Sequence, residues 1–116
     1  MKWFWQRNTK PEPEATIPKG AIRRKLRYTG KVQAVGFRYT AKRWADERGL
    51  TGWVSNLADG NVMIEIQGTP AQVSGFLSDV ESESTRPGAF IRARLIQFDE
   101  VEPMPENRFV IRNVNF

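Results

Sequence analysis

Ile22-Arg-Arg-Lys-Leu-Arg-Tyr-Thr-Gly30-Lys-Val-Gln-Ala-Val-Gly-Phe-Arg38 passes from one hydrophobic period to another within seventeen residues. From Ile22 to Thr29, Leu26 and Tyr28 fall on one face and Lys25 and Arg27 on the opposite, charged face, the period-two pattern of a half-buried strand. After Gly36 the period changes: Phe37, Ala41, Trp44, Ala45 and Arg48 recur at helical spacing, and Gly49 supplies the left-handed residue that commonly closes a helix. The segment between is a strand-to-helix junction. Backbone N–H groups at a helix start lack intrahelical partners, so a loop that turns several of them inward presents partial positive charge to a phosphate or carboxylate. Arg38 falls in the first helical turn, where an exposed cation opposes the helix dipole by about 0.3–1 kcal/mol; an anion beside it reverses that cost. A surface arginine pointing into water needs no anion, so the junction alone leaves both readings open.

Downstream, Thr51 to Asn56 reads as a short strand containing Trp53. Leu57-Ala-Asp-Gly-Asn61 carries an Asp-Gly turn, and Val62, Ile64 and Ile66 then alternate with Met63, Glu65 and Gln67, which predicts a hairpin. Thr69-Pro-Ala-Gln72 is a capping box with proline at the first helical position, and Val73, Phe76, Leu77 and Val80 follow at i, i+3, i+4 and i+7. Arg86-Pro-Gly88 breaks that helix, Phe90 to about Val101 is extended, an acidic and proline-containing loop follows, and Phe109 to Val114 forms the last strand. Strand, helix, strand, strand, helix, strand, with a further terminal strand, is the α+β ferredoxin-like plan. It predicts a βαββαβ sandwich in which both helices lie on one face of an antiparallel sheet, Trp44, Val73, Phe76 and Leu77 covering Val62, Ile64 and Ile66. Gly30 and Gly36 are backbone requirements of the loop, and Trp53 and Phe37 are assigned to the core.

Composition narrows the chemistry. The 116 residues suffice for one domain, and no apolar run approaches the length that spans a bilayer. Residues 1–20 have no amphipathic period and contain Pro11, Pro13 and Pro18; they read as a flexible basic and aromatic extension, opening Met1-Lys-Trp-Phe-Trp5, ahead of a domain at 21–116. Its apolar part is too short for a signal peptide, so a cytoplasmic location is expected. The absence of cysteine excludes disulfides and thiolate catalysis, and the absence of histidine removes the commonest general base and metal ligand. Net charge is +5, but residues 1–25 hold seven basic residues against two acidic ones, leaving eleven of each sign in the remainder. The high pI therefore describes the N-terminal end, and no nucleic-acid partner is expected. The acidic groups at Asp79, Glu81 and Glu83 and at Asp99, Glu100 and Glu102 lack the pattern of a calcium loop and read as solvated surface; no metal site is assigned. Neutral charge and the alternating Ile/Val pattern are compatible with a monomer.

Two motifs then combine. Gly30-Lys-Val-Gln33-Ala-Val35-Gly-Phe37-Arg38, with Gly49-Leu-Thr-Gly52-Trp53-Val-Ser-Asn56 and Asp59-Gly60 before a strand, closely resembles the acylphosphatase signature, from about residue 22 to the C-terminus. The resemblance implies a small ferredoxin-like enzyme that hydrolyses the carboxyl-phosphate bond of acyl phosphates to carboxylate and inorganic phosphate, without metal, cofactor or covalent intermediate. It further implies that the loop Gln33, Ala34, Val35, Gly36 and Phe37 wraps the phosphoryl group with backbone N–H groups, that Arg38 grips its oxygens, and that Asn56 holds the attacking water. Those residue types suit that work. Phosphoryl transfer asks chiefly for positioning and charge stabilisation, and a guanidinium fork matches phosphate oxygens. An amide cannot be a base near neutral pH, so Asn56 can only orient water, and the substrate phosphate is the proton acceptor.

One position departs from the family pattern: Ala34 stands where a second glycine is usual. If φ there is positive, alanine costs on the order of 1–2 kcal/mol and can displace an N–H aimed at phosphate. The alternative function is therefore a low-activity or inactive phosphate-binding module of the same fold. An RNA-binding ferredoxin-like domain would need exposed aromatics in a basic surface, which the neutral core does not supply.

Overall fold

The computed structural model describes residues 12–112. Strand β1 (Ile22–Lys31) is followed by helix α1 (Phe37–Glu47), strands β2 (Thr51–Asn56) and β3 (Val62–Gly68), helix α2 (Pro70–Thr85), and strands β4 (Arg92–Val101) and β5 (Phe109–Arg112). The strands form one sheet in the order β4-β1-β3-β2-β5. Four of them pair antiparallel, as the ferredoxin-like plan requires, but β5 joins β2 in parallel, so the sheet is mixed rather than wholly antiparallel. The long connection after β4 carries the chain from one edge of the sheet to the other, and β5 arrives in the direction of β2. The last two residues of the strand expected at 109–114, and residues 1–11 of the expected extension, lie outside the described residues.

Alternation in β1 and β3 places Leu26, Tyr28, Val62, Ile64 and Ile66 under the helices, where they join Phe37, Ala41, Ala45, Val73, Phe76 and Val80 in one buried cluster. Trp44 meets Phe76 edge to face, with ring centroids 6.4 Å apart. Burial of each large side chain in such a cluster contributes about 1.5–3 kcal/mol. The helix pair is locked further by Arg48, whose guanidinium lies over Gly75 and makes two bonds to Asp79.

Both faces of β3 are covered, which the alternation of Met63, Glu65 and Gln67 with apolar residues did not predict. Met63 and Gln67 are buried, and so is Arg23, counted above with the basic N-terminal end but only 1% exposed. At the Arg23 and Gln67 end the cover is the segment between β4 and β5. Gln67 exchanges two bonds with the backbone of Met104, both 2.8 Å, while Arg23 bonds Glu65, Gln67 and Glu106. Burial works against the charge on Arg23, and its bonds to Glu106 and Glu65 outweigh that penalty, so its pKa lies above the ordinary arginine value. Trp53 differs from expectation as well. It lies outside the buried cluster, beneath the Arg112 guanidinium at 4.2 Å from the ring centroid.

Strand β4 is a ten-residue sheet edge, the kind of surface that invites pairing with another chain. Two features blunt it. The register slips between Arg27 and Tyr28, a bulge in the β1–β4 ladder, and the outward N–H of Ala93 is taken by Ser84 Oγ at 2.9 Å.

Candidate active site

The strand-to-helix junction lies at the end of β1, where the chain crosses the top of the sheet before entering α1. Gly30 has φ +109°, and a Cβ there would sit 2.2 Å from the carbonyl oxygen of Arg92, so β1 and β4 approach too closely for any side chain. Val32 follows, buried, with its N–H closing a tight turn onto Gly30 O at 3.0 Å. Phe37 is 1% exposed and meets Tyr28 edge to face at 5.6 Å. Val32 and Phe37 therefore anchor the two ends of residues 33–36. Between them the backbone N–H groups of residues 33–37 have no partner among the described residues.

Helix α1 begins in an unusual way. Its N-cap, Gly36, is left-handed (φ 79°, ψ 14°), and no side chain caps the first turn, whereas most helices start from an extended Ser, Thr, Asp or Asn whose oxygen takes one of the free N–H groups. Arg38 stands in that first turn, with no acidic residue beside it. Its Nη1 donates to the Arg112 carbonyl at 3.2 Å, which ties the guanidinium to the end of β5. Lys42, one turn further, donates to Phe109 O at 3.0 Å, so two cations of α1 hold the terminal strand.

Asn56 ends β2 opposite Val62, which is itself opposite Tyr28 in β1. Its Oδ1 is buried and accepts no hydrogen bond. Buried side-chain oxygens are almost always satisfied, since an unmet acceptor costs about 1–3 kcal/mol, so an orphan of this kind marks a strained or working group.

The side chain of Gln33 connects the two halves, a role the sequence did not reveal. Its Nε2 donates to Leu57 O at 2.8 Å and to Asn61 O at 2.9 Å. Leu57 directly follows Asn56, and the Leu57 N–H also donates to Asn61 O, closing the turn. That turn is held in its own right. Asp59 accepts from the Asn61 N–H at 3.0 Å and forms an ion pair with Arg27 of β1, and these bonds hold its carboxyl below the ordinary aspartate range. The loop, the turn and the end of β2 thus form one bonded assembly. A glutamine next to a glycine loop is the only advance signal of this; its two targets are backbone carbonyls, which carry no mark in a sequence.

The remaining loop residue is Ala34. It is exposed and has φ +62°, the only positive φ at a non-glycine among the described residues. The strained branch of the expectation for this position therefore applies. Three residues of the two acidic groups have basic partners: Asp79 bonds Arg48, Glu83 bonds Arg86, and Glu100 pairs with Arg24.

Comparison with known proteins fixes the family. A family model described as Acylphosphatase matches residues 24–111. The chain belongs to the acylphosphatase family. It is 42% identical over 88 residues to an acylphosphatase of Lactiplantibacillus plantarum, a match covering 76% of this chain and 94% of that one. Solved structures agree: an acylphosphatase from Coxiella burnetii superposes with a TM-score of 0.68 at 25% identity, covering 84% of this chain and 98% of its own. An acylphosphatase from Bacillus subtilis gives 0.64 at 29% identity, covering 78% and 98%. Acylphosphatase activity, a hydrolase activity, comes with that membership. No helix among the described residues is long and apolar enough to cross a membrane.

Proposed function

We propose that residues 33–38 bind the phosphoryl group of an acyl phosphate and that Asn56 orients the water that attacks it. The observation that carries this reading is the orphaned Asn56 Oδ1, buried at the end of β2 and linked through Leu57 and Gln33 to a loop whose N–H donors have no partner among the described residues. The donors in residues 33–37 match the equatorial oxygens of a phosphoryl group, and the Arg38 fork adds the positive charge that the transition state requires. Asn56 Oδ1 accepts a hydrogen bond from one O–H of a water molecule, which turns the water's lone pair toward phosphorus. As the new P–O bond forms, the bond from phosphorus to the acyl oxygen breaks and that oxygen leaves as a carboxylate. The water's proton passes to a phosphate oxygen, so no protein base is needed. A carboxylate is a good leaving group, and a site with one arginine and one amide is chemically sufficient. The domain that carries the reaction is taken as residues 21–116.

The test is hydrolysis of a small acyl phosphate. Asn56→Ala is expected to lower kcat by at least roughly 10²-fold, as removal of a preorganised transition-state group does in other hydrolases, while inhibition by inorganic phosphate persists. An unchanged kcat would remove the water-orienting role. One observation favours a second reading, a phosphate-binding module with slow turnover: the left-handed Ala34. Negligible native turnover that rises sharply in Ala34→Gly would select it.

A further inference from the structure

We infer that Gln33 is a positioning residue whose side-chain amide holds Ala34 in its left-handed conformation, a task created by alanine at a place where the backbone favours glycine. The inference rests on the reading of the loop as the phosphate site. An L-residue with positive φ crowds its Cβ against the following carbonyl, a bias of roughly tenfold against the conformation. Ala34 is exposed, so its own side chain gains nothing from packing that could offset this bias. The force must come from its neighbours. On one side Gln33 is fixed by two hydrogen bonds from a single nitrogen to the carbonyls of Leu57 and Asn61. On the other, Val35 packs against the buried cluster, and Phe37 is buried just beyond it. The chain, held at 33 and at 35, turns between them at Ala34 with φ +62°. Release Gln33, and Ala34 relaxes to negative φ, rotating the peptide planes on either side and carrying their N–H groups out of the cradle. A glycine at 34 would keep the turn unaided, because it has no Cβ to clash.

The consequence is a non-additivity that a general structural role for Gln33 does not produce. A double-mutant cycle of the native chain, Gln33→Met, Ala34→Gly and the double variant reads it, methionine keeping the length of the side chain while removing both donors. For each protein, kcat/KM on a small acyl phosphate and the inhibition constant of inorganic phosphate are measured. Thermal unfolding confirms that each is folded. Gln33→Met is expected to lower kcat/KM about tenfold more in the native background than with glycine at 34, with the phosphate inhibition constant rising in step. The same loss in both backgrounds overturns the inference. NMR gives a readout independent of substrate: the strong intraresidue amide-to-Hα cross-peak of a left-handed residue 34 is expected to weaken in Gln33→Met. If that peak persists unchanged, the clamp is disproved even where activity falls. If it weakens while phosphate inhibition stays the same, the clamp stands and the phosphate reading of the loop fails.

Discussion

The two helices of this fold begin in opposite ways. Helix α2 closes its own start: the Thr69 hydroxyl accepts from Gln72 N–H, Gln72 Oε1 accepts from Thr69 N–H, and Pro70 has no N–H to satisfy. Helix α1 starts from a left-handed glycine with no side-chain cap, and carries a cation where an anion would suit the dipole. A cap contributes about 1 kcal/mol, so α1 gives up stability that its neighbour keeps. The same contrast runs along β1. At one end Arg23 is buried with all its visible partners in place; at the other, the row through Tyr28 and Val62 ends on an Asn56 oxygen without a partner. Polar groups that complete one another hold the fold, and polar groups left incomplete are available to a ligand.

Substitutions that exchange stability for activity, or fail to, break or sharpen this division. The largest effect is expected at the closed end. Arg23→Ala leaves Glu65, Gln67 and Glu106 facing each other without their shared donor, and should lower the free energy of unfolding by about 3–5 kcal/mol. Activity per folded molecule should stay near native, as denaturant titration and kinetics on one preparation would reveal. Arg38→Ala should do the reverse. It is expected to lower kcat/KM by at least roughly 10²-fold, with stability altered by less than about 1 kcal/mol. Should Arg38→Ala unfold the protein or Arg23→Ala abolish turnover, the division between closed and open ends does not hold. Smaller again is Thr69→Ala, expected to cost about 1 kcal/mol of stability and nothing in kcat, because α2 uses its N–H groups internally.

How much of this could be read in advance depended on the range over which each signal acts. The capping box of α2, the Asp-Gly turn and the change of period at Gly36 are local patterns, and they placed helices and strands within a few residues. The ferredoxin-like order and the candidate residues Arg38 and Asn56 followed from those patterns and from the resemblance they completed. No local pattern marks Arg23 as buried, because its burial depends on Glu106 and on the Met104 contact of its neighbour Gln67, contributed by a connection some eighty residues later; nothing nearby distinguishes it from Arg24 or Lys25. The parallel docking of β5 likewise depends on where a long connection lands. Gln33 was placed in the phosphate loop for its backbone, while its side chain acts through the carbonyls of Leu57 and Asn61. Ala34 was the one place where the sequence posed a conformational question, and φ +62° supplies the answer.

The smallest expected effect lies between the two regions, in the turn that Gln33 grips. Asp59 accepts from Asn61 N–H and from Arg27, so its folded-state pKa is lowered, whereas in the unfolded chain it titrates near about 3.9. A carboxylate with a depressed pKa contributes stability that is fully present above the unfolded value and is lost as pH falls through the folded one. The stability difference between the native chain and Asp59→Asn should therefore be flat from pH 8 to about 5 and shrink below about 4. Because Asn61 O also receives the Gln33 amide, the same acid range should loosen the loop. Inhibition by inorganic phosphate, with kinetics corrected for the ionisation of phosphate itself, should weaken in the native chain as Asp59 protonates and show no such step in Asp59→Asn. A stability difference that stays constant to pH 2 would mean that the Arg27–Asp59 pair is only a surface contact, and that the turn holds Gln33 through its backbone alone.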